Sequence, residues 1–303
     1  MKKVYILITC FAMILIFTNC FRLDDFLYNE DNTIKSYKLD NYKGDVDFKL
    51  AASYDISSTY ISQFTLQSRF EGKTKKIYAV YIGDKTKITT DTVILYCHGN
   101  KDHMDFYWPR AKLLANMNGP MDGTTGYGVL MIDYQGYGLS QGTPNEEALY
   151  NDVNAAMKWL KSQGLTNNRL IMYGFSMGTA PATELTANPK AMNPRILILE
   201  APFASAEVMV QDSSVLALPG SFFTNLKIDN AKEIRKVTQP FLWLHGKKDD
   251  FLRISTHGEV VYKNYGGNSS LAIRVAGAGH SNLPEVFGFQ NYLTTIENFI
   301  LSN

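Results

Sequence analysis

One stretch limits what this chain can fold into more than any other: Arg169-Leu170-Ile171-Met172-Tyr173-Gly174-Phe175-Ser176-Met177-Gly178-Thr179-Ala180. An apolar run fit for a buried strand meets Gly-x-Ser-x-Gly, and small residues able to open a helix follow, which is the context a nucleophile elbow requires. The spacing is a matter of crowding. A serine at the tip of a sharp strand-to-helix turn lifts its hydroxyl clear of the backbone, and the turn closes only where the residues two places away lack bulk, as Gly174 and Gly178 do. Ser176 is therefore the candidate nucleophile. A free alcohol reacts poorly, so the same chemistry needs a base to take its proton, a third group to orient that base, and N–H donors aimed at the developing oxyanion.

With 303 residues, 45% hydrophobic and 19% charged, the chain can bury a large core. A net charge of +1 sets up no field that would recruit nucleic acid or an acidic partner. The three cysteines, Cys10, Cys20 and Cys97, cannot form a disulfide framework, and no pair has metal-site spacing. No metal or other cofactor is expected.

Residues 1–19 read as an export signal. Met1-Lys2-Lys3 supplies the positive start, and Val4 to Phe17 an uncharged apolar run too short to span a bilayer comfortably. Its end, Phe17-Thr18-Asn19-Cys20, resembles a bacterial lipoprotein signal, although Phe17 and Asn19 stand where that pattern has Leu and a small residue. The resemblance implies lipidation of Cys20, a lipid anchor in the membrane, and a place in the bacterial cell envelope. Polar, tyrosine-dotted residues 20–45 read as a tether, and 46–303 as the folded domain.

Two period-two segments, Tyr60 to Arg69 and Lys76 to Gly83, predict an antiparallel hairpin turning at Glu71-Gly72-Lys73. Apolar strands then alternate with helical stretches, which predicts an α/β fold with a mostly parallel sheet covered on both faces. The strands are Thr92 to Cys97, Gly128 to Asp133, the elbow strand, Arg195 to Glu200, Pro240 to His245 and Leu271 to Val275. Helical spacing runs over Phe106 to Asn116 and from Pro144 to Gly164, where Leu149, Val153, Met157 and Leu160 share a face. Between Ala201 and Gln239, Phe203, Met209, Leu216, Phe222 and Phe223 occur without a strand pattern, and this segment, about 201–239, is read as a short lid.

An acid and a histidine should follow the serine in that order. Asp249 and Asp250, just past the strand ending at His245, are the acid candidates, placed where the active sites of open α/β sheets form. His280, in the glycine-rich loop after the last strand, is the candidate base; His98 and His103 precede Ser176, His245 ends a strand and His257 opens a helix.

In its ordered motifs the chain resembles α/β-hydrolases, closest to the serine-aminopeptidase-like hydrolases and the α/β-hydrolase-domain depalmitoylase group. The motifs are His98-Gly99-Asn100, Asp133 to Pro144, Gly174 to Gly178, His245-Gly246-Lys247-Lys248-Asp249, Thr256-His257-Gly258 and Gly277-Ala278-Gly279-His280. They span roughly residues 60 to 300 in the family's order. The resemblance implies Asp249 as the acid, with Asp250 as fallback and Glu200 as a less favoured orienter. It also implies backbone N–H groups of Asn100 and Met177 as the oxyanion hole. Gln135 departs from the family's usual arginine, in a stretch read as a structural turn. The function so implied is a serine hydrolase acting on carboxylic esters or thioesters of a small-molecule or acyl substrate. A peptidase of the same fold, or a surface binding protein without catalysis, is the alternative.

Overall fold

The computed structural model describes residues 24–70, 72–213, 220–222 and 224–303. The signal over 1–19, Cys20, Glu71, Leu216 and Phe223 lie outside the described residues.

The strands are β1 (Asn29–Glu30), β2 (Ile61–Phe70), β3 (Lys73–Ile82), β4 (Thr92–Cys97), β5 (Lys101–Asp102), β6 (Tyr127–Ile132), β7 (Leu170–Phe175), β8 (Ile196–Glu200), β9 (Phe241–Gly246) and β10 (Ser270–Val275). Eight form one sheet in the order β2-β3-β6-β4-β7-β8-β9-β10. The hairpin β2–β3 is antiparallel, β3 pairs antiparallel with β6, and every pairing from β6 to β10 is parallel. The predicted fold is thus the one observed.

The helices are α1 (Met104–Ala115), α2 (Glu146–Ser162), α3 (Thr179–Ala187), α4 (Ala206–Ser213), α5 (Asn230–Glu233), α6 (Gly258–Lys263), α7 (Leu283–Phe287) and α8 (Phe289–Ser302). They cover both faces because successive strand residues point opposite ways. Leu170 and Met172 of β7 join a core with Leu149, Val153 and Met157 of α2. Ile171 and Tyr173 join another with Trp108 of α1 and Ile296 of α8. Of the expected lid, Phe203, Ile228, Ile234 and Val237 are buried in the first of these cores. The described parts of residues 201–239 are thus largely a packed connection.

The polar segment expected to lead away as a tether does not do so from Asp24 on. Every residue of α1 is buried, including Asp105, Arg110 and Lys112. Such a helix needs partners on its outer side, and residues 24–60 supply them as a strap. The backbone N–H groups of Lys38 and Leu39 donate to Asp105, at 2.9 and 2.7 Å. Asp40 accepts from Trp108 Nε1 at 2.9 Å and from Lys112 Nζ at 2.5 Å. The strap also adds β1 to β5 as a small parallel sheet.

Arg110 is the deepest of these anchors. It pairs with Asp47 of the strap and with Glu200 at the end of β8, each at 2.6 Å, all three side chains fully buried. One cation facing two carboxylates leaves one of them short of charge balance. Burial first, and then Glu200, pushes the Asp47 carboxyl up to about 6 against the pull of Arg110.

Replacing Arg110 with Ala strands two buried carboxylates and should cost about 3–5 kcal/mol in urea denaturation. Asp47 binds its proton more tightly folded than unfolded, where its pKa is about 3.9. Its contribution to stability is therefore full below about pH 4 and declines as pH rises through about 6. Urea midpoints of the wild type and Asp47→Asn, followed from pH 4 to 7, should differ in slope, the variant lacking this decline.

Candidate active site

The carboxyl ends of the parallel strands meet at one edge of the sheet, where ligands bind in open α/β folds. There β4 runs into His98-Gly99-Asn100, β7 into Ser176, β8 ends at Glu200, β9 leads to Asp249 and β10 leads to His280.

The elbow is as tight as its glycines imply. Ser176 has a φ of 52°, in the left-handed region that costs a side-chain-bearing residue energy. A Cβ on Gly178 would lie 2.0 Å from the Cys97 carbonyl oxygen, and one on Gly174 would lie 2.6 Å from that of Gly178. The Thr179 hydroxyl donates to the Ser176 carbonyl at 2.6 Å. The serine side chain stands at this crowded tip with 5% of the residue exposed.

Ser176 Oγ lies 2.9 Å from His280 Nε2, and His280 Nδ1 lies 2.8 Å from Asp249 Oδ2. An ionised carboxylate only accepts, so Nδ1 carries the proton and Nε2 offers its lone pair to the serine hydroxyl. The imidazole packs between Phe175 and Phe251, with ring centroids at 5.4 and 5.0 Å.

Asp249 sits in a turn tied to the histidine loop. Lys247 and Lys248 donate backbone N–H bonds to Val275 and Ala278, at 2.9 and 2.8 Å. A Cβ on Gly246 would come within 2.4 Å of the Ala278 and Gly279 carbonyls. Asp249 Oδ1 accepts from the Phe251 and Leu252 N–H groups at 3.1 and 2.7 Å. Oδ2 takes His280 and also His245 Nε2, at 3.1 Å. Burial pushes this carboxyl up, but the hydrogen bonds from His245 and His280 outweigh it and hold the group well below the ordinary carboxylate range.

The other acid candidates are elsewhere. Asp250 is exposed. Glu200 is spent on Arg110, on the Tyr173 hydroxyl and on the Tyr292 hydroxyl.

Asn100 follows β4 and Met177 follows Ser176 in the elbow, and the Tyr137 hydroxyl reaches both. It donates to the Asn100 carbonyl at 3.0 Å and lies 3.7 Å from Met177 Sδ. The Asn100 carbonyl also takes the Asn29 N–H of the strap, at 3.0 Å. The Asn100 N–H itself has no acceptor among the described residues. Its peptide plane is fixed from the far side, because the Gly99 carbonyl of the same peptide takes His98 Nδ1–H at 2.7 Å. Met177 is in the one-turn helix Ser176–Gly178, at the end where N–H groups lack a helical partner. The Asp133 to Pro144 stretch is the structural turn it was read as: Asp133 accepts from the Tyr37 hydroxyl at 2.7 Å and lies 3.1 Å from His98 Nε2, close but out of line for a hydrogen bond.

Sequence reasoning missed Arg110, Tyr137, Asn29 and the contact of His245. His245 carried a signal, since it heads His-Gly-x-x-Asp four residues before the acid; Asn29 carried none.

Among the described residues, Asp31, Asp102 and His103 place ligand-type atoms within 4.8 Å of one another. The chemistry fits a cation poorly. His103 Nδ1 accepts the Asp105 N–H at 3.2 Å, so the proton sits on Nε2 and the ring points an N–H, not a lone pair, at the carboxylates.

Residues 89–239 match the family described as serine aminopeptidase, S33. Alpha/beta hydrolase domain-containing protein 17C of Xenopus tropicalis is 32% identical over 174 residues, 57% of this chain and 52% of the relative. The human protein 17B is 31% identical over 174 residues, 57% of this chain and 56% of that one. The match thus spans about half the length of these curated relatives. Among solved structures, the Pyrococcus furiosus esterase Pf2001 superposes with a TM-score of 0.66 at 16% identity, covering 91% of this chain and 98% of that one. A thermophilic esterase from Thermogutta terrifontis gives 0.57 at 16%, covering 80% and 98%. With the strand order, the elbow and its surroundings already in place, these likenesses show that the chain has the α/β-hydrolase fold and resembles the hydrolases of that fold in sequence.

Proposed function

We propose that this hydrolase cleaves carboxylic esters or thioesters through an acyl-enzyme formed on Ser176. The observation that carries the reading is the unbroken chain of hydrogen bonds from Ser176 Oγ to His280 to Asp249. Ser176 Oγ attacks the carbonyl while His280 Nε2 takes its proton. Asp249 keeps His280 in the tautomer that can accept, and favours the imidazolium that forms. The N–H groups of Asn100 and Met177 receive the negative charge on the carbonyl oxygen, an interaction present only in the transition state. His280 then returns the proton to the departing alcohol or thiol. Water, deprotonated by the same nitrogen, releases the acid and restores Ser176.

A second reading, cleavage of an N-terminal residue from a peptide, draws on the description of the matching family. Fold does not choose between them. A series of p-nitrophenyl esters and acyl thioesters compared with aminoacyl-anilides on the purified protein does. Attachment to a membrane through Cys20 remains our proposal from sequence, and radiolabelled palmitate should enter the wild-type chain but not Cys20→Ala when both are expressed in a bacterium.

Ser176→Ala should lower kcat on a short p-nitrophenyl ester by about four orders of magnitude or more, with His280→Ala similar and the unfolding midpoint preserved. A fluorophosphonate probe should label the wild type and not Ser176→Ala; absence of labelling in a folded wild type would favour a binding protein. Because Asp249 is held well below the ordinary carboxylate range, it stays ionised in mild acid. The acidic limb of the kcat/KM profile should accordingly report one proton.

A further inference from the structure

The hydrogen bond from His245 to Asp249 has a direction that its neighbours dictate. Trp243 and His245 are two apart on β9 and so share a face. Trp243 Nε1 lies 3.3 Å from His245 Nδ1, inside the core. An indole N–H can only donate, so Nδ1 must present its lone pair. The ring proton is then on Nε2, which faces two groups that only accept: the Leu252 carbonyl at 2.9 Å and Asp249 Oδ2 at 3.1 Å. A proton on Nδ1 would set two hydrogens against each other at Trp243 and leave a lone pair facing a carboxylate.

The two rings are closely packed from the side of α6. A Cβ on Gly258 would lie 2.3 Å from His245 Nδ1 and 2.6 Å from Trp243 Cζ2, so the helix start gives way at the one place where these rings stand. The Arg274 guanidinium covers the Trp243 ring at 4.7 Å and is itself held by Glu259 at 2.6 Å.

We propose that His245 is the positioning residue of the candidate acid: locked by Trp243 with its proton on Nε2, it donates to Asp249 Oδ2 and keeps that oxygen aimed at His280. This rests on the reading above, in which Asp249 orients the base. Oδ2 receives imidazole N–H groups from two sides, one from the rigid strand β9 and one from the glycine-rich loop. A donor that served only to satisfy the core would need no more than the Leu252 carbonyl. The lowering of the Asp249 carboxyl has the same origin, since the His245 hydrogen bond leads the influences that oppose burial.

The charged and titratable groups around the pair are His280 on the loop, His257 at the start of α6, Asp212 and Arg253 beside His257, and the Glu259–Arg274 pair. Burial pushes His257 down to about 4. It therefore stays neutral above about pH 5, where the acidic limb is read. Asp212 is occupied by Arg253 at 3.3 Å and by the Thr256 hydroxyl at 2.5 Å.

Three variants test the proposal in the full chain: His245→Leu removes the donor, His245→Gln keeps an N–H near the place of Nε2, and Trp243→Phe removes the lock. Histidine 15N NMR of the wild type should show His245 protonated at Nε2 and bare at Nδ1, and Trp243→Phe should mix the two tautomers. His245→Leu should lower kcat about tenfold and move the acidic limb of kcat/KM up by about half a pH unit, because a carboxylate stripped of one donor holds the His280 proton more strongly. KM should stay within about twofold, and His245→Gln should restore most of both effects. In the His245→Gln background, Trp243→Phe should change kcat far less than it does in the wild type, since the two residues act in one chain.

A proton on His245 Nδ1 in the wild type overturns the proposal, and so do folded His245→Leu and Trp243→Phe enzymes with wild-type kcat and an unmoved acidic limb. Should His245→Leu fail to fold, Trp243→Phe and His245→Gln still decide it. Failure of the functional reading looks different: turnover that survives Ser176→Ala removes the proposed mechanism while the NMR result stands by itself.

Discussion

The guanidinium of Arg110 holds together parts of the chain that sequence keeps far apart. Its Nε donates to Asp47 in the strap at 2.7 Å, with Nη2 paired to the same oxygen at 2.6 Å. Nη1 donates to Glu200 at the end of β8, and Nη2 to the carbonyl of Ser281, the residue after the candidate base. Its plane lies over Phe175, one residue before the candidate nucleophile, with the carbon 4.1 Å from the ring centroid. Removing such a cation from water costs several kcal/mol, which is offset only where its donors are met. Arginine can do this because its donors form a rigid fork; a lysine ammonium would reach one carboxylate and leave the rest. The elbow, the base loop and the strap therefore share one anchor.

Two histidines meet the same problem at either side of Ser176. His280 gives Nδ1–H to a carboxylate and so keeps Nε2 free to accept. His98 gives Nδ1–H to the Gly99 carbonyl and so fixes the peptide whose N–H belongs to Asn100. His98 is fully buried and stacks on Tyr107 at 4.8 Å, which suits a part that need not move. The strap adds to this side, because Asn29 and Tyr137 both hold the Asn100 carbonyl.

The candidate site was legible to the degree that its chemistry is written in local spacing. Gly174 and Gly178 announce the turn, because only missing side chains allow Gly178 to approach Cys97 and His98. The elbow motif implies that an acid and then a histidine follow, which left Asp249 or Asp250 with His280, and the sheet brings Asp249 and His280 to one edge. The strap was not legible for the opposite reason. Asp40, Asp47 and Asp55 look like the charges of a solvated segment, and Arg110 and Lys112 like the wet face of α1; opposite charges far apart in sequence can cancel in the interior, and no periodicity reports it. Phe203 misled in the other direction. Apolar residues between strands suggest a cover over a site, yet a large sheet needs such residues to close its own core. The direction of the His245 hydrogen bond was out of reach, since it depends on an indole two residues away and a turn four residues on.

The site divides its rigidity unevenly, and the division follows from what each group must do. An acid that orients a base is most effective where water cannot compete, and Asp249 is fully shielded, but a buried carboxylate stays ionised only if donors surround it. Backbone N–H groups, a histidine on a strand and a turn stitched to the neighbouring loop supply them. The candidate base must instead reach the Ser176 hydroxyl, and His280 keeps 17% of its side chain exposed on a loop that opens with Gly277 at a φ of 88°. A loop of that kind has little means of its own to set the direction of an imidazole. The direction comes from Oδ2 of Asp249, and the placement of Oδ2 comes from β9 and the turn after it, so the accuracy of the outer group is inherited from the burial of the inner one.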